Sequence, residues 1–402
     1  MVVRADGSSI RPTPLGVGVI GFGWMGQVHA RAHLRLLQHF PDAPRRPRLV
    51  AVADTDASRR EEALTAYGFE HAYAAWQDLL ERDDVEAVSV CGPNFVHREI
   101  AVAAARAGKH VWVEKPAGRN LADTAEIAEA VHVAGVQSAV GFNYRHAPAI
   151  QRARELVGAG RLGRVETVRT FLSSDYAAHP DGALSWRFDP QYAGTGVLGD
   201  LASHGLDLAA YVLGKSAGDI TELVADQATF ITERPEPTGV VSHFSTASGG
   251  KRGQVGNEDQ VSVLFRYASG ARGVMECSRV AVGDQCRYGI EIRGDKGALA
   301  WDFRRMGELQ VCLDQDYLDA SWQTRLVTRR DGALGAFQPG AGIAMGYDDL
   351  KVVEAEHFVR SIAEKRPIGA TIDDMVATAA LIEAITTSYD ERRWVAPTGG
   401  NR

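Results

Sequence analysis

Lys115, Asp200 and His204 are of the right types and spacing to do chemistry together. Lys115 lies in Glu114-Lys115-Pro116, directly after the apolar run His110 to Val113. The proline restricts the lysine's backbone to an extended conformation and so sets the direction of its side chain. Asp200 and His204, four apart in Gly199-Asp200-Leu201-Ala202-Ser203-His204, fall one turn apart on the same face of an expected helix. An amine, a carboxylate and an imidazole around one hydroxyl can take up its proton while a hydride leaves the carbon. That role needs a base with a pKa near neutrality, for which His204 is the candidate. The Lys115 ammonium would stabilise the developing alkoxide and hold the imidazole neutral, and Asp200 would orient the histidine or a neighbouring hydroxyl. Taken singly, each has a plainer reading: a solvated lysine, a surface ion pair, or a hydrogen-bonded core histidine. Too few ligands gather here for a metal, and no His-rich segment joins them, so no catalytic metal is expected.

The hydride needs an acceptor, and Gly21-Phe22-Gly23-Trp24-Met25-Gly26 supplies a place for one. The three glycines follow an expected strand and open an expected helix, the context in which GxGxxG cradles a dinucleotide pyrophosphate. Gly21 would permit the tight turn, Gly23 the close approach of the backbone to the phosphates, and Gly26 the packing of helix on sheet. The helix N-terminus then presents free N–H groups and a favourable dipole to the anion. Asp54, at the end of the second strand, would bind an adenosine ribose and repel a 2'-phosphate, favouring NAD. Arg59 and Arg60 nearby keep NADP as the less favoured alternative. A second alternative makes Asp54 a helix cap.

Elements that could hold these residues follow from hydrophobic rhythm. Between Leu15 and Phe142, apolar runs at Gly16 to Ile20, Arg48 to Ala53, Ala87 to Cys91, His110 to Val113 and Gln137 to Gly141 alternate with amphipathic stretches beginning near Trp24, Ala57, Phe95 and Ala122. This predicts a doubly wound parallel sheet, an α/β domain over residues 15–145. From residue 146 to 402 the period changes to two, at Val165 to Leu172, Leu223 to Ile231, Val261 to Tyr267, Gly273 to Ser278, Tyr288 to Arg293 and Leu309 to Leu313. That pattern predicts an open, mostly antiparallel α+β sheet, covered on one face by a helix from Gly199 to Leu213. Two further helices are expected over Asp348 to Glu364 and Asp373 to Arg392, the second capped at Thr371 or Asp373. Thr232 to Asp259 is rich in Gly, Ser, Thr and Pro and reads as a long functional or mobile loop. Residues 1–14 read as a disordered lead-in without the features of a secretory signal.

A chain of 402 residues is long enough for two cores. The net charge of -7 gives no footprint for nucleic acid, and no apolar run is long enough to cross a bilayer. Cys91, Cys277, Cys286 and Cys312 form no CxxC pair and read as buried thiols in a reducing, cytoplasmic setting.

The order of GFGWMG, then Cys91-Gly92-Pro93-Asn94-Phe95-Val96-His97, then AGKHVWVEKPAG from Ala107 to Gly118, then GFNYR from Gly141 to Arg145, then GDLASH resembles the Gfo/Idh/MocA oxidoreductases. The resemblance implies a Rossmann domain followed by an open sheet whose free face builds a homodimer or homotetramer. By position, Lys115, Asp200 and His204 match the family's catalytic lysine, aspartate and histidine. Phe22, Trp24, Met25, Pro93, Asn94, His97 and Glu114 join Gly21, Gly23, Gly26, Asp54 and Lys115 as expected cofactor contacts. The substrate implied is a cyclic polyol, sugar or amino-sugar derivative, held by Lys115, Asp200 and His204 with Asn143, Tyr144, Arg145, Tyr176, His179, Trp186 and Arg187. Two rival functions stay open: redox-neutral sugar processing on a tightly held cofactor, and a non-catalytic sensor of the NAD state. The chain departs from the family pattern at Gly194-Thr195-Gly196, where many members carry a glycine triplet, and in the length of the loop before Asp259.

Overall fold

The computed structural model describes residues 2–3, 9–10, 12–237, 246, 251–313, 316 and 318–398. Six strands form the first sheet: β1 (Thr13–Ile20), β2 (Arg45–Ala53), β3 (His71–Tyr73), β4 (Ala87–Val90), β5 (His110–Val113) and β6 (Ser138–Val140). Their order is β3-β2-β1-β4-β5-β6 and every pair is parallel. The order reverses between β1 and β4, and ligands of such sheets bind outside the strand carboxyl ends at that point. Val17, Val19, Val88, Val90, Val111 and Val113 are all fully buried, which is why these strands read as continuous apolar runs. His71–Tyr73, three half-buried residues, has too little apolar signal to stand out in the sequence.

Helices α1 (Trp24–His39), α2 (Ala57–Ala66), α3 (Trp76–Leu80), α4 (Asn94–Arg106) and α5 (Leu121–Ala134) connect the strands. Helix α5 begins at Asn120, whose side chain accepts the Asp123 N–H, and stops at Gly135 in the left-handed region (φ 65°).

The chain then passes through α6 (Pro148–Gly158) into β7 (Val165–Ser173), and through α7 (Pro190–Ala193) and α8 (Ser203–Leu213) to β8 (Ile220–Ala228). A short antiparallel pair, β9 (Glu233–Pro235) with β10 (Arg252–Gln254), precedes β11 (Gln260–Tyr267), β12 (Arg272–Ser278), β13 (Arg287–Gly294), β14 (Gly297–Asp302), β15 (Glu308–Leu313) and β16 (Gln323–Leu326). The second sheet runs β8-β11-β12-β7-β13-β14-β15-β16, and only β12 and β7 are parallel. Helix α8 lies across β7 and β13, burying Leu206, Leu208 and Val212. The opposite face leaves Leu264 and Val274 exposed, so the strands alternate as the sequence does.

The expected loop from Thr232 to Asp259 is tied down at its base. Besides the β9–β10 pair, Arg234 is buried and its guanidinium donates to the carbonyls of Ala177 (2.5 Å) and His179 (2.9 Å). Residues 238–245 and 247–250 of that loop lie outside the described residues. Three helices remain, the short α9 (Leu334–Phe337) and the long α10 (Tyr347–Glu364) and α11 (Ile372–Glu391). Helix α10 packs on α1, and α11 lies along α5 and β8, so the C-terminal segment returns to the first sheet. Asp374 accepts the Thr371 N–H at 2.8 Å, which fixes the start of α11.

The thiols are not uniformly buried. Cys277 is inside the core, Cys91 and Cys312 are half-buried, and Cys286 is exposed with φ 51°; all four are free.

Candidate active site

The glycine loop has the turn expected at Gly21 and the close packing expected at Gly26. Gly21 has φ 86°, and a Cβ there would meet Gly92 N at 2.6 Å. A Cβ on Gly26 would meet Gly21 O at 2.0 Å, so the helix could not pack where it does. Gly23 differs, because a Cβ there would meet only the tip of Arg59, at 3.8 Å. The protein itself leaves room at Gly23, as a cradle for a close-lying ligand requires. Helix α1 also has no capping side chain and no acidic residue in its first turn, leaving its N–H groups free for an anion. Phe22 is buried between Tyr67 and Phe69, so it offers the loop its backbone and packing. Trp24 is exposed and stacked on Tyr347 (5.3 Å), and Met25 Sδ accepts from the Tyr347 hydroxyl.

Asp54 braces this loop. Its Oδ2 accepts the Phe22 N–H at 2.6 Å and its Oδ1 the Asp56 N–H at 2.8 Å, while Arg59 lies 3.6 Å away. The cap of α2 is Asp56, not Asp54.

Two other expected cofactor contacts turn toward the protein. Asn94 is buried and donates to Ala193 O at 2.6 Å. His97 spans two carbonyls, Gly92 O at 2.7 Å and Pro116 O at 2.9 Å. It therefore sits between the loop after β4 and the loop carrying Lys115, and since burial lowers its pKa the neutral ring donates to one carbonyl and faces the other. Pro93 stands at the start of α4.

Beyond β5 the Lys115-Pro116 peptide is cis, and the Lys115 ammonium reaches across to the second half of the chain. Its Nζ donates to Asp200 O at 2.6 Å and to Asp200 Oδ1 at 3.1 Å. Asp200 Oδ2 accepts the Tyr176 hydroxyl at 2.5 Å. Burial pushes the Asp200 pKa up, but the charges of Lys115 and Arg187 and the Tyr176 hydrogen bond overcome it and hold the carboxyl well below its usual range. Asp200 is therefore occupied with the lysine and a tyrosine, not with His204.

His204 is buried against Tyr144, whose ring centroid lies 4.4 Å away, with Phe142 at 6.1 Å. Burial, then the positive charge of Lys115, holds its pKa well below 6.5. The imidazole is neutral at physiological pH, as expected, but its pKa lies well below the near-neutral value expected of the base, and desolvation is the larger cause and the lysine the smaller.

The expected substrate contacts divide. Tyr176 and Arg187 are beside Asp200, and Arg187 stacks on Trp186 at 4.6 Å, with Trp186 against Phe95. Asn143 is fully buried, beside the Tyr347 hydroxyl. Arg145 is buried in a bidentate ion pair with Asp207 (Nε–Oδ2 2.8 Å) and lies 3.3 Å from Asp374. Its guanidinium is committed to pinning α8 and α11, which corrects its place among the substrate contacts. His179 is exposed and accepts the Asp181 N–H within its own turn.

Glu114 was expected at the cofactor; it sits behind the lysine in a buried charge network that the sequence did not reveal. Its Oε1 meets Lys351 Nζ and His29 Nε2 (2.8 Å), and its Oε2 accepts the Lys115 N–H at 3.3 Å. Lys351, from α10, is fully buried and also meets Glu354 at 2.7 Å. Burial raises the Glu114 pKa, but Lys351 and His29 overcome this and keep the carboxylate ionised. A Cβ on Gly141 would strike the Glu114 carboxylate at 2.5 Å, which explains the glycine of GFNYR. The signal available was a lysine and a glutamate three apart inside the apolar stretch Leu350 to Val359.

His33, next to this network, is held near pKa 3 by burial and by His29. The unfolded chain takes up that proton near 6.5, so the folded state loses stability as pH falls from about 6.5 toward 3. His33→Phe removes this penalty and should gain about 2–3 kcal/mol relative to wild type between pH 7 and 4.5. Urea midpoints at the two pH values measure it; an unchanged difference would show that His33 ionises freely.

With the geometry in place, comparison with known proteins identifies the family. Residues 15–142 match the oxidoreductase family with an NAD-binding Rossmann fold, and residues 150–300 match the GFO/IDH/MocA C-terminal domain. The chain belongs to the Gfo/Idh/MocA oxidoreductases. A levoglucosan dehydrogenase of Pseudarthrobacter phenanthrenivorans is 33% identical over 384 residues, covering 95% of this chain and 97% of that one. A myo-inositol 2-dehydrogenase of Thermotoga maritima is 32% identical, covering 94% and 97%. The solved structure of levoglucosan dehydrogenase with NADH and levoglucosan superposes with a TM-score of 0.89 at 31% identity, covering 96% of this chain and 100% of that one. As a member of this family the chain is an NAD-binding oxidoreductase with a Rossmann domain and a mostly antiparallel second sheet. Among the described residues no helix is long and apolar enough to cross a membrane, and no three His, Cys, Asp or Glu side chains gather as a metal site.

Proposed function

We propose that this Gfo/Idh/MocA protein is an NAD-dependent dehydrogenase that oxidises a secondary hydroxyl of a cyclic sugar or polyol, with an anhydrosugar such as levoglucosan or an inositol as the first substrates to test. One observation carries the reading: Lys115, from the first sheet, meets Asp200, from the second, beside the buried neutral imidazole of His204. NAD, when bound, supplies the acceptor for the hydride. The glycine loop and the uncapped start of α1 would hold its pyrophosphate, and Asp54, at the end of the second strand, would favour a free ribose 2'-hydroxyl.

In this reading the substrate hydroxyl lies between the Lys115 ammonium and His204. His204 takes the hydroxyl proton, and Lys115 stabilises the negative charge that develops on the oxygen. Asp200 holds the ammonium in place and, with Tyr176 and Arg187, binds neighbouring hydroxyls. Residues 15–145 form the cofactor unit and 146–402 the substrate and assembly unit. The apolar side chains of Leu264 and Val274 on the free sheet face support a homodimer or homotetramer built through that face. The four free thiols support a reducing compartment, and we place the enzyme in the cytoplasm.

The test is a panel of levoglucosan, other anhydrosugars, myo- and scyllo-inositol and simple hexoses, each assayed with NAD and with NADP. The expected result is NADH formation with at least one cyclic substrate and a preference for NAD. Absence of turnover across the panel, with nicotinamide that copurifies and never exchanges, would favour redox-neutral chemistry instead.

A further inference from the structure

The turn that presents Asp200 has a holder outside the chemical groups described so far. Three consecutive N–H groups, of Gly196, Val197 and Leu198, lie where the helix bearing Asp200 and His204 begins. Glu258 Oε1 accepts from Gly196 N–H at 2.7 Å and from Leu198 N–H at 2.9 Å, and Glu258 O accepts from Val197 N–H at 3.1 Å. Asp200 N–H in turn donates to Gly196 O at 3.2 Å, so the clamp is one hydrogen bond from the Asp200 backbone. A helix start leaves such N–H groups without partners inside the helix, and a carboxylate there also complements the dipole.

The fit is close. A Cβ on Gly196 would meet Glu258 O at 2.2 Å, and one on Gly194 would meet Arg119 O at 2.0 Å. These glycines are required by contact, whereas Thr195 between them is tolerated, which accounts for the departure from a glycine triplet. Glu258 is itself held rigidly. Asp259 is fully buried, pairs with Arg279 Nε at 2.8 Å and accepts the N–H groups of Phe230 (2.8 Å) and Ile231 (3.0 Å). Asn257 accepts from Arg279 Nη2 at 2.8 Å and donates to Arg187 O at 2.8 Å. The segment Asn257-Glu258-Asp259 thus fastens the turns bearing Asp200 and Arg187 to one buried arginine. On the outer side a cavity of about 260 Å³, lined in part by Gln227, Thr229, Tyr389 and Asp390, adjoins Glu258.

We propose that Glu258 is a positioning residue of the active site, its buried carboxylate fixing the turn that sets Asp200 against the Lys115 ammonium. The inference rests on the reading of Lys115 and Asp200 as parts of a dehydrogenase site. Misplacement of a reacting group by an ångström can lower turnover by about 10²-fold without touching the chemistry directly.

The experiment compares Glu258→Gln, which keeps an acceptor oxygen, with Glu258→Met, which has nearly the same size and none. Steady-state kinetics use the panel substrate that wild type oxidises fastest with NAD, and NADH binding is followed by fluorescence. Glu258→Met is expected to lower kcat about tenfold or more while NADH Kd stays within about twofold, and Glu258→Gln to stay within about threefold of wild type. A kcat for Glu258→Met close to wild type would overturn the proposal, as would a kcat for Glu258→Gln equal to that of Glu258→Met. So would NADH binding that weakens in step with kcat, since that would mark a general loss of structure. Hydrogen exchange in the wild-type protein needs no substitution: Gly196 and Leu198 amides are expected to be strongly protected, and exchange as fast as in exposed turns would refute the clamp. If wild type turns over no panel substrate, the dehydrogenase reading fails, and the exchange measurement still decides whether Glu258 holds the turn.

Discussion

Replacing Lys115 by methionine should abolish turnover while leaving the cofactor site intact. Among the described residues the ammonium is the one cation that both contacts Asp200 and lowers the proton affinity of His204, so it is placed to meet the alkoxide as it forms. Removing a single donor of this kind from a preorganised site lowers kcat by about 10²–10³-fold, and the loss of a full positive charge beside the developing alkoxide adds to that. We expect a fall of about 10³-fold or more in kcat with the best panel substrate. Methionine has nearly the same length and leaves the Asp200–Tyr176 hydrogen bond in place, so the second domain should keep its geometry. NADH binding, read by fluorescence, is expected to change little, because the glycine loop and Asp54 follow other strands. Turnover retained in this variant would remove Lys115 from the chemistry.

The largest effect on stability is expected at Lys351, which sequence reading passed over. Its ammonium is fully buried between Glu114 and Glu354, with Trp112 5.6 Å from it. Opposite charges taken out of water together hold one another ionised, and removing one partner leaves the others without compensation. Lys351→Met should therefore cost about 3–5 kcal/mol, measured as a lower urea midpoint at unchanged m-value. Adding Glu114→Gln and Glu354→Gln should recover part of that loss, because the stranded charges go with them. A Lys351→Met variant as stable as wild type would mean that the two carboxyls already share a proton. Burial raises the Glu354 pKa to about 7, so the comparison is best made near pH 8, where both are ionised. Activity carries a second readout: Glu114 Oε2 accepts the Lys115 N–H, so loosening this network should lower kcat before it alters NADH binding.

How much of this was legible in the sequence depends on the range of the forces involved. The phosphate loop was readable because its demands are local. Gly21 needs positive φ and Gly26 must let a helix lie against the strand it follows, and both requirements act within six residues. The parallel strands were readable because burial on both faces leaves an unbroken apolar run, and α8 because Leu206, Leu208 and Val212 give it an apolar side; the turn bearing Asp200, Leu198–Ala202, is π-helical rather than the first turn of one α-helix with His204. Charged and polar side chains gave much less away, since a sequence does not tell which buried partner each will find. Arg145 looked like a substrate ligand and is locked to Asp207 and Asp374; Asn94 and His97 looked like cofactor contacts and donate to or face protein carbonyls.

The chain by itself determined a dinucleotide-binding domain, a second domain of alternating strands, and the three residue types for moving a proton during hydride transfer. Only the tertiary structure decided that Asp200 serves Lys115 rather than His204, that aromatic burial does more than the lysine to keep the imidazole neutral, and that helix α10 seats Lys351 beneath the lysine loop. The reason is physical. Backbone sterics and hydrophobic period are fixed by neighbours along the chain, whereas the pairing and desolvation of charges depend on groups that only folding brings within a few ångströms.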